Sequence, residues 1–447
     1  MKATVEDITS VKKKLIVEID SEDMAQKLNE AYRLLAKKAK VPGFRMGKTP
    51  RRILERYYGS GLMEDLYRDL ISETLPTAVE ENKIYPINAP AIEKEPFKTG
   101  GSFKYSAVME VKPEFELKDY TGLEIEKEIV SLTDEDVERH IEDIRKGRGS
   151  LDSIEEDRGL QMGDFAVIDY EGFERNIPIE GLKAENFLLE IGSKNFHPKF
   201  EEALVGLKKN ETADITVSFD EKHLHEKLAG KTVEFKVRVV DIKALVLPEL
   251  NDEFVKDLGA EINDGVEGLR KQIKENLTER ERQRVDRDMK TRLLRKISDS
   301  VEFELPESLV EAELRSAVEN IKQNFIRSGS SLERAGISEK KIREDFRIAS
   351  ERRVKNLLIL GEIAKQNGIT VRDEELDEEF RRMALGIGQD LQVVRSYYEA
   401  NEAVESIRDK LTEEKTLNYL VEGANIIEVE AEKIKSIEPE QAVSEEV

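Results

Sequence analysis

The stretch VPGFRMGKTP, residues 41–50, ends in Gly47-Lys48-Thr49, and whether that ending cradles a phosphate decides which fold the chain is built on. A phosphate loop has the form G-x-x-x-x-G-K-[ST], follows a strand and opens a helix, so that backbone N–H groups surround the anion. It would announce an α/β nucleotide-binding domain. Here Gly43 and Gly47 stand one residue too close. The preceding segment, Ser21 to Lys40, is helical in pattern, with Met24, Leu28, Ala31, Leu35 and Ala39 at helical spacing. Pro50 removes an N–H group that phosphate would need. Nucleotide binding is rejected. What remains is a tip fixed by two glycines and two prolines, carrying Phe44 and Met46 beside Arg45 and Lys48. Exposed apolar groups of this kind mark contact sites. Flanking cations suit a partner with a carboxylate or phosphate surface.

The charge distribution points the same way. Residues 1–112 carry 20 Lys+Arg against 17 Asp+Glu, a net of +3, in a chain of formal charge -23, so the remainder carries -26. Around the tip, Arg33, Lys37, Lys38, Lys40, Arg45, Lys48, Arg51, Arg52 and Arg56 face one nearby acid, Glu55. An acidic protein with one basic corner has a specific anionic partner for that corner rather than a general affinity for nucleic acid.

With 447 residues, 38% hydrophobic and 37% charged, the chain suits several domains, long helices and open shapes. No run of 18 apolar residues crosses a membrane, and the start lacks the apolar region of a secretory signal, so a cytoplasmic address is expected. The absence of cysteine excludes disulfides and cysteine-ligated metal. His223 and His225 form H-x-H with no third ligand in sight, and His140 lies on a charged helix, so neither a metal nor any other cofactor is expected.

Outward from the tip, Ser10 to Ile19 alternates like a strand, and helical pattern runs from Pro50 to about Glu81. Residues 85–97 and 102–117 read as extended chain returning to that strand. This gives an α+β domain over 1–112. A linker over 113–162 holds a short helix opened by a capping box, Thr133 to Asp136. Residues 163–248 are β-rich, with strands in GDFAVIDYEGF, NFLLEIG, TADITVSF and TVEFKVRVVDIKAL. Beyond Pro248 the chain is helical to about residue 430. Asp264 with Glu267 caps a long helix whose stripe runs Val266, Leu269, Ile273, Leu277, Val285, Met289, Leu293, Ile297. Asn367-Gly368 stops another. An acidic tail, 431–447, completes an α+β, multidomain architecture, and the last twenty residues read as frayed.

GFRMGKTP behind a basic helix resembles the ribosome-docking motif of the trigger factor family. LPELNDEFVKDLG followed by VEGLRKQIKENL resembles the start of that family's C-terminal domain, and the domain order matches throughout. The resemblance implies a ribosome-binding N-terminal domain, an FKBP-type prolyl isomerase domain and an elongated helical chaperone domain with arms. It implies docking at the exit tunnel, on a ribosomal protein and nearby ribosomal RNA, through Gly43, Phe44, Arg45, Met46, Gly47 and Lys48. Nascent and unfolded polypeptides would be held open without ATP for folding or export. At position 46 the family often has Lys where this chain has Met. A homodimer of the free protein stays open.

For 163–248 the resemblance to FKBP-type isomerases places Tyr170, Phe187, Phe196, Phe200 and Phe235 at pocket positions. An apolar pocket suffices for this chemistry, because the twisted amide is less dipolar than the planar one and the barrier near 18–20 kcal/mol is resonance. HPKFE replaces the family's (V/I)PGFE, His223 stands where the pocket-edge tyrosine is usual, and IEGL at 179–182 lacks a second glycine. His197 and Lys199 are thereby expected to wet a dry wall and weaken the activity. Two other readings stay open: an isomerase whose other domains only position substrate, and a holdase that never visits ribosomes.

Overall fold

The structure is a computed structural model. It describes residues 1–435 apart from 43, 46, 96–100, 195, 221–227, 229, 260, 261, 334–336 and 402, with the backbone alone at 180, 432 and 435. Gly43, Met46, His223, His225 and the tail beyond Lys435 therefore lie outside the described residues.

At the N-terminus, β1 (Lys2–Asp7), β2 (Lys12–Ile19), α1 (Ser21–Lys38), α2 (Arg51–Glu81), β3 (Ala91–Lys94) and β4 (Phe103–Glu110) form an antiparallel sheet, order β1-β2-β4-β3, backed by two helices. Alternate residues of β2 turn inward, Leu15, Val17 and Ile19, and pair with Ala107, Tyr105 and Phe103 of β4. Met24, Leu28 and Tyr32 of α1 and Leu54, Leu66 and Leu70 of α2 close the core over them. The extended segments thus do return to the first apolar strand. The edge strand β1, too polar to stand out in the sequence, is an addition.

β5 (Glu124–Glu128), α3 (Asp134–Gly147) and β6 (Ser150–Ser153) follow. Thr133 caps α3 through the expected capping box. Val137 and Ile141 of α3 bury against Val255, Leu269 and Ile273, so this segment is packed rather than free. Next come β7 (Phe165–Glu174), β8 (Ile177–Glu190), α4 (Pro198–Leu204), β9 (Thr212–Ser218) and β10 (Thr232–Val246), a five-stranded sheet in the order β6-β10-β7-β8 with β9 also on β10. Val233, Phe235, Val237 and Val239 point inward from β10, and a bulge at Val239/Asp241 moves the next inward residue to Ile242.

The rest is helical: α5 (Asp252–Asp257), α6 (Gly265–Asp299), α7 (Glu307–Arg327), α8 (Glu339–Asn367), α9 (Asp373–Ile387), α10 (Leu391–Ala400) and α11 (Val404–Glu422). The expected cap of α6 is corrected. The side chain that accepts a first-turn N–H is Asp252, Oδ1 taking Val266 N–H at 3.2 Å, while Asp264 sits at φ 68. Gly368 ends α8 at φ 64, with Ile369 N–H closing on Ala364 O as the Asn-Gly stop predicts. The frayed ending is corrected over residues 428–435 alone, since 436–447 lie outside the described residues. β11 (Asn425–Val429) pairs in parallel with β5, and α12 (Ala431–Lys435) follows.

Packing groups the described chain into two units that cut across linear order. One comprises Met1–Leu123, Leu293–Asn320 and Arg343–Ala424; the other holds the remainder, including the β-rich sheet.

Candidate functional site

Two arrangements carry chemistry. The first is the inner face of the β-rich sheet, where β7 brings Tyr170, β8 Phe187, β10 Phe235 and α4 Phe200, with Phe196 on the loop before α4. All five aromatics named from the sequence converge. The Tyr170 ring lies 5.6 Å from Phe187, 5.6 Å from Phe196, 6.1 Å from Phe235 and 6.3 Å from Phe200, each near edge-on. Phe196 and Phe200 approach to 4.3 Å. Phe200 and Phe235 are fully buried, whereas Phe187 keeps an exposed edge. The cluster is therefore a floor with an open rim rather than a closed core. Burial among the rings pushes the Tyr170 hydroxyl above its ordinary pKa, so it stays protonated at neutral pH.

His197 and Lys199 do not take the places expected of them. The His197 imidazole caps α4, Nδ1 accepting Lys199 N–H at 3.3 Å, and lies edge-on to Phe219 at 5.5 Å. Lys199 is exposed. Their polarity is spent on the helix end and on solvent. The residue that sequence reasoning missed is Glu201. It is 2% exposed, and its Oε2 accepts Gly192 N–H at 2.8 Å and Lys194 N–H at 3.1 Å, while Oε1 accepts Phe196 N–H at 2.9 Å. One carboxylate thus holds the loop that carries Phe196. Its signal in the sequence is only an acid directly after Phe200, on the inward face of a short helix. A second pin adjoins the start of that loop, where Ile191 N–H bonds Asp164 O at 2.9 Å: Arg158 grips Asp164 with two bonds, at 2.6 and 2.8 Å. That guanidinium holds the Asp164 carboxyl below its usual range.

The second arrangement is the loop between α1 and α2. Phe44 N–H bonds Val41 O at 3.1 Å, Lys48 N–H bonds Arg45 O at 3.0 Å, and Gly47 N–H reaches back to Ala36 O at 3.0 Å. Gly47 adopts φ 80 in open space, so glycine is needed there for its backbone. Val41 and Thr49 tuck under, while Phe44 stands 42% exposed, followed by exposed Arg45 and Lys48. Arg51 pairs with Glu55 and stacks on Tyr32. Among the described residues, Arg33, Lys37, Lys38, Lys40, Arg45, Lys48, Arg52 and Arg56 make no ion pair; all are exposed. The loop joins two helices, a setting unlike the strand-to-helix turn that cradles phosphate.

Among the described residues no group of three or more His, Asp or Glu side chains is placed to hold a metal ion, and no helix is long and apolar enough to cross a membrane.

Family models match in three places. "Bacterial trigger factor protein (TF)" matches residues 1–144, "FKBP-type peptidyl-prolyl cis-trans isomerase" residues 156–240, and "Bacterial trigger factor protein (TF) C-terminus" residues 265–422. The trigger factor of Geotalea uraniireducens is 34% identical over 97% of this chain and 100% of its own length. That of Syntrophotalea carbinolica is 36% identical over 98% and 99%. That of Geobacter metallireducens is 37% identical over 97% and 100%. Near-complete coverage in both directions, with an isomerase domain between two trigger factor segments, settles the kinship: the chain belongs to the bacterial trigger factor family of ribosome-associated chaperones, with an FKBP-type prolyl isomerase domain.

Proposed function

We propose that the loop at 41–50 is the docking element, that the five-ring cluster is the isomerase pocket, and that the helical part is the client cradle. The observation that carries the docking reading is Phe44, exposed at a turn, with exposed cations near it in sequence that make no ion pair among the described residues. Gly43, Phe44, Arg45, Met46, Gly47 and Lys48 would meet a ribosomal protein, and the cations of α1 and α2 the phosphates of ribosomal RNA. Each phosphate contact releases counterions, so binding weakens steeply with salt. The work is cytoplasmic, and the free protein would form a homodimer.

The cradle reading rests on apolar side chains left outside the helical cores. Leu385 is 79% and Tyr397 65% exposed, and Ile387, Val393 and Ile348 are also exposed. Each is worth about 1.5–3 kcal/mol when fully covered. Several shallow sites engaged together give useful avidity with fast release, and no nucleotide is required. The linear division at 1–112, 113–162, 163–248, 249–430 and 431–447 assigns docking, connection, isomerisation, holding and tail in that order.

Ribosome pelleting tests the docking reading. A Phe44→Ala/Arg45→Ala variant should remain in the supernatant at moderate salt where the parent chain pellets. Equal pelleting would remove the docking role from this loop.

A further inference from the structure

The five clustered rings carry one polar atom between them, the Tyr170 hydroxyl. Tyr170 sits where four rings meet, 5.6–6.3 Å from each. Among the described residues nothing hydrogen-bonds its hydroxyl. Nor is that oxygen one of the sealed, unpaired atoms of the interior, which belong to Thr49, Arg292, Ser308 and Asn356. Tyr170 is half-buried and lines a cavity on the sheet. A tyrosine in such a place ordinarily finds a partner. Here, among the described residues, the donor has no partner.

The chemistry of an X–Pro bond says what a free donor can do. In the planar amide the nitrogen lone pair is delocalised into the carbonyl, so the oxygen is the better acceptor. Twisting the bond by a quarter turn returns the lone pair to nitrogen and takes charge from oxygen. A donor aimed at oxygen therefore favours the planar ground state and slows rotation. A donor aimed at nitrogen is paired only in the twisted state, and only such differential binding raises kcat. We propose that the Tyr170 hydroxyl is a catalytic residue that donates a hydrogen bond to the prolyl nitrogen of the twisted X–Pro bond. No proton is transferred: the hydroxyl stays neutral, kept so by its burial among the rings. This rests on reading the ring cluster as the isomerase pocket.

Tyr170→Phe removes one oxygen and leaves every ring contact. In the full-length chain, a protease-coupled assay on an X-Pro tetrapeptide should show kcat lowered about three- to tenfold, the worth of one net hydrogen bond, with KM unchanged. The melting temperature should be that of the parent. Unchanged kcat overturns the proposal, as does a raised KM with kcat intact, which would place the hydroxyl on the ground-state carbonyl. A fall in kcat accompanied by lost stability overturns it too, because the oxygen would then be structural. Phe200→Leu and Phe235→Leu run in parallel separate the two levels. If these lose activity while Tyr170→Phe does not, the pocket stands and the donor falls. If none of the three changes the rate, the pocket reading itself falls.

Discussion

Replacing Glu201 by glutamine is the sharpest probe of how the aromatic pocket is held. The side chain keeps its shape and loses its charge, and one of its two acceptor oxygens becomes a donor. The favourable orientation leaves the remaining oxygen on Gly192 and Lys194, whose N–H groups lie 2.8 and 3.1 Å away. The new amide then faces Phe196 N–H, 2.9 Å from the present oxygen, donor against donor. A stranded buried donor costs about 1–3 kcal/mol. The two surviving bonds change from charge-assisted to neutral, losing roughly 1 kcal/mol each. Burying a neutral amide in place of a carboxylate returns part of this. The net loss is about 2–4 kcal/mol, and for a domain of this size each kcal/mol lowers the midpoint by about 4–8 °C. Calorimetry of the full chain should therefore show the isomerase-domain transition lowered by about 10 °C or more. At a temperature where the variant is still folded, the protease-coupled rate should also fall, because the loop carrying Phe196 has lost its anchor. A shift below about 2 °C would refute the reasoning, since one lost bond alone should exceed it.

Acid should loosen the same domain through Asp164. The Arg158 guanidinium depresses its folded-state pKa, so its stabilisation is complete above the unfolded value near 3.9 and is lost as pH falls through the lower folded value. Midpoints measured from pH 5 downwards should decline more steeply in the parent than in Arg158→Gln, and parallel curves would remove Asp164 from the account. Gly47→Ala tests the docking loop through its backbone, leaving the side chains of Phe44, Arg45 and Lys48 in place. A Cβ there meets nothing within 4 Å, so the cost is the left-handed backbone alone, about 1–2 kcal/mol. Ribosome pelleting should weaken with Phe44 and Arg45 intact, whereas parental pelleting would show that the turn is not what holds Phe44 out.

Elements written by local pattern were legible. The capping box at Thr133, the Asn367-Gly368 stop, the inward alternation of β2 and the apolar stripe of α6 all depend on residues a few positions apart, and each forms as the spacing requires. The return of β4 to β2 was legible because both strands are apolar, whereas pairing between charged strands was not. β5 is Glu-Ile-Glu-Lys-Glu, too charged to read as a strand, and its partner β11 lies some three hundred residues away. The cap of α6 failed for a related reason: Asp264 had the right sequence position, but Asp252, from the preceding helix, reached the N–H group. The five clustered rings could be named because the resemblance to FKBP-type isomerases pointed to them; aromatic residues in a small β-rich domain would otherwise read as core. Glu201 could not be named, since a buried carboxylate looks like any other acid until the backbone donors around it are in place. His197 shows the reverse case, a polar residue in a suggestive position whose ring caps a helix.

Glu201 and Asp164 have a counterpart in the N-terminal unit. Glu110, at the end of β4, is nearly buried; its Oε2 accepts Ser308 N–H at 2.8 Å in the first turn of α7, and its Oε1 pairs with Lys12 at 3.5 Å. Burial raises its carboxyl, and the bonds from Ser308 and Lys12 outweigh that, leaving it low. In each case an acid taken out of solvent fixes a segment whose backbone N–H groups lack other partners: the loop to Phe196, the turn at Gln161, the start of α7. A chain without cysteine has no covalent staple for such segments, and a carboxylate is the one side chain that can accept from several donors at once without adding a donor of its own. A pin of this kind is stiff while its donors stay in place and reversible when they leave, which a disulfide is not. That suits a pocket that must stay dry around a substrate for one rotation and then release it without an energy source. If the ring cluster is the isomerase pocket, loss of the Glu201 pin should lower the rate without removing any ring of the cluster.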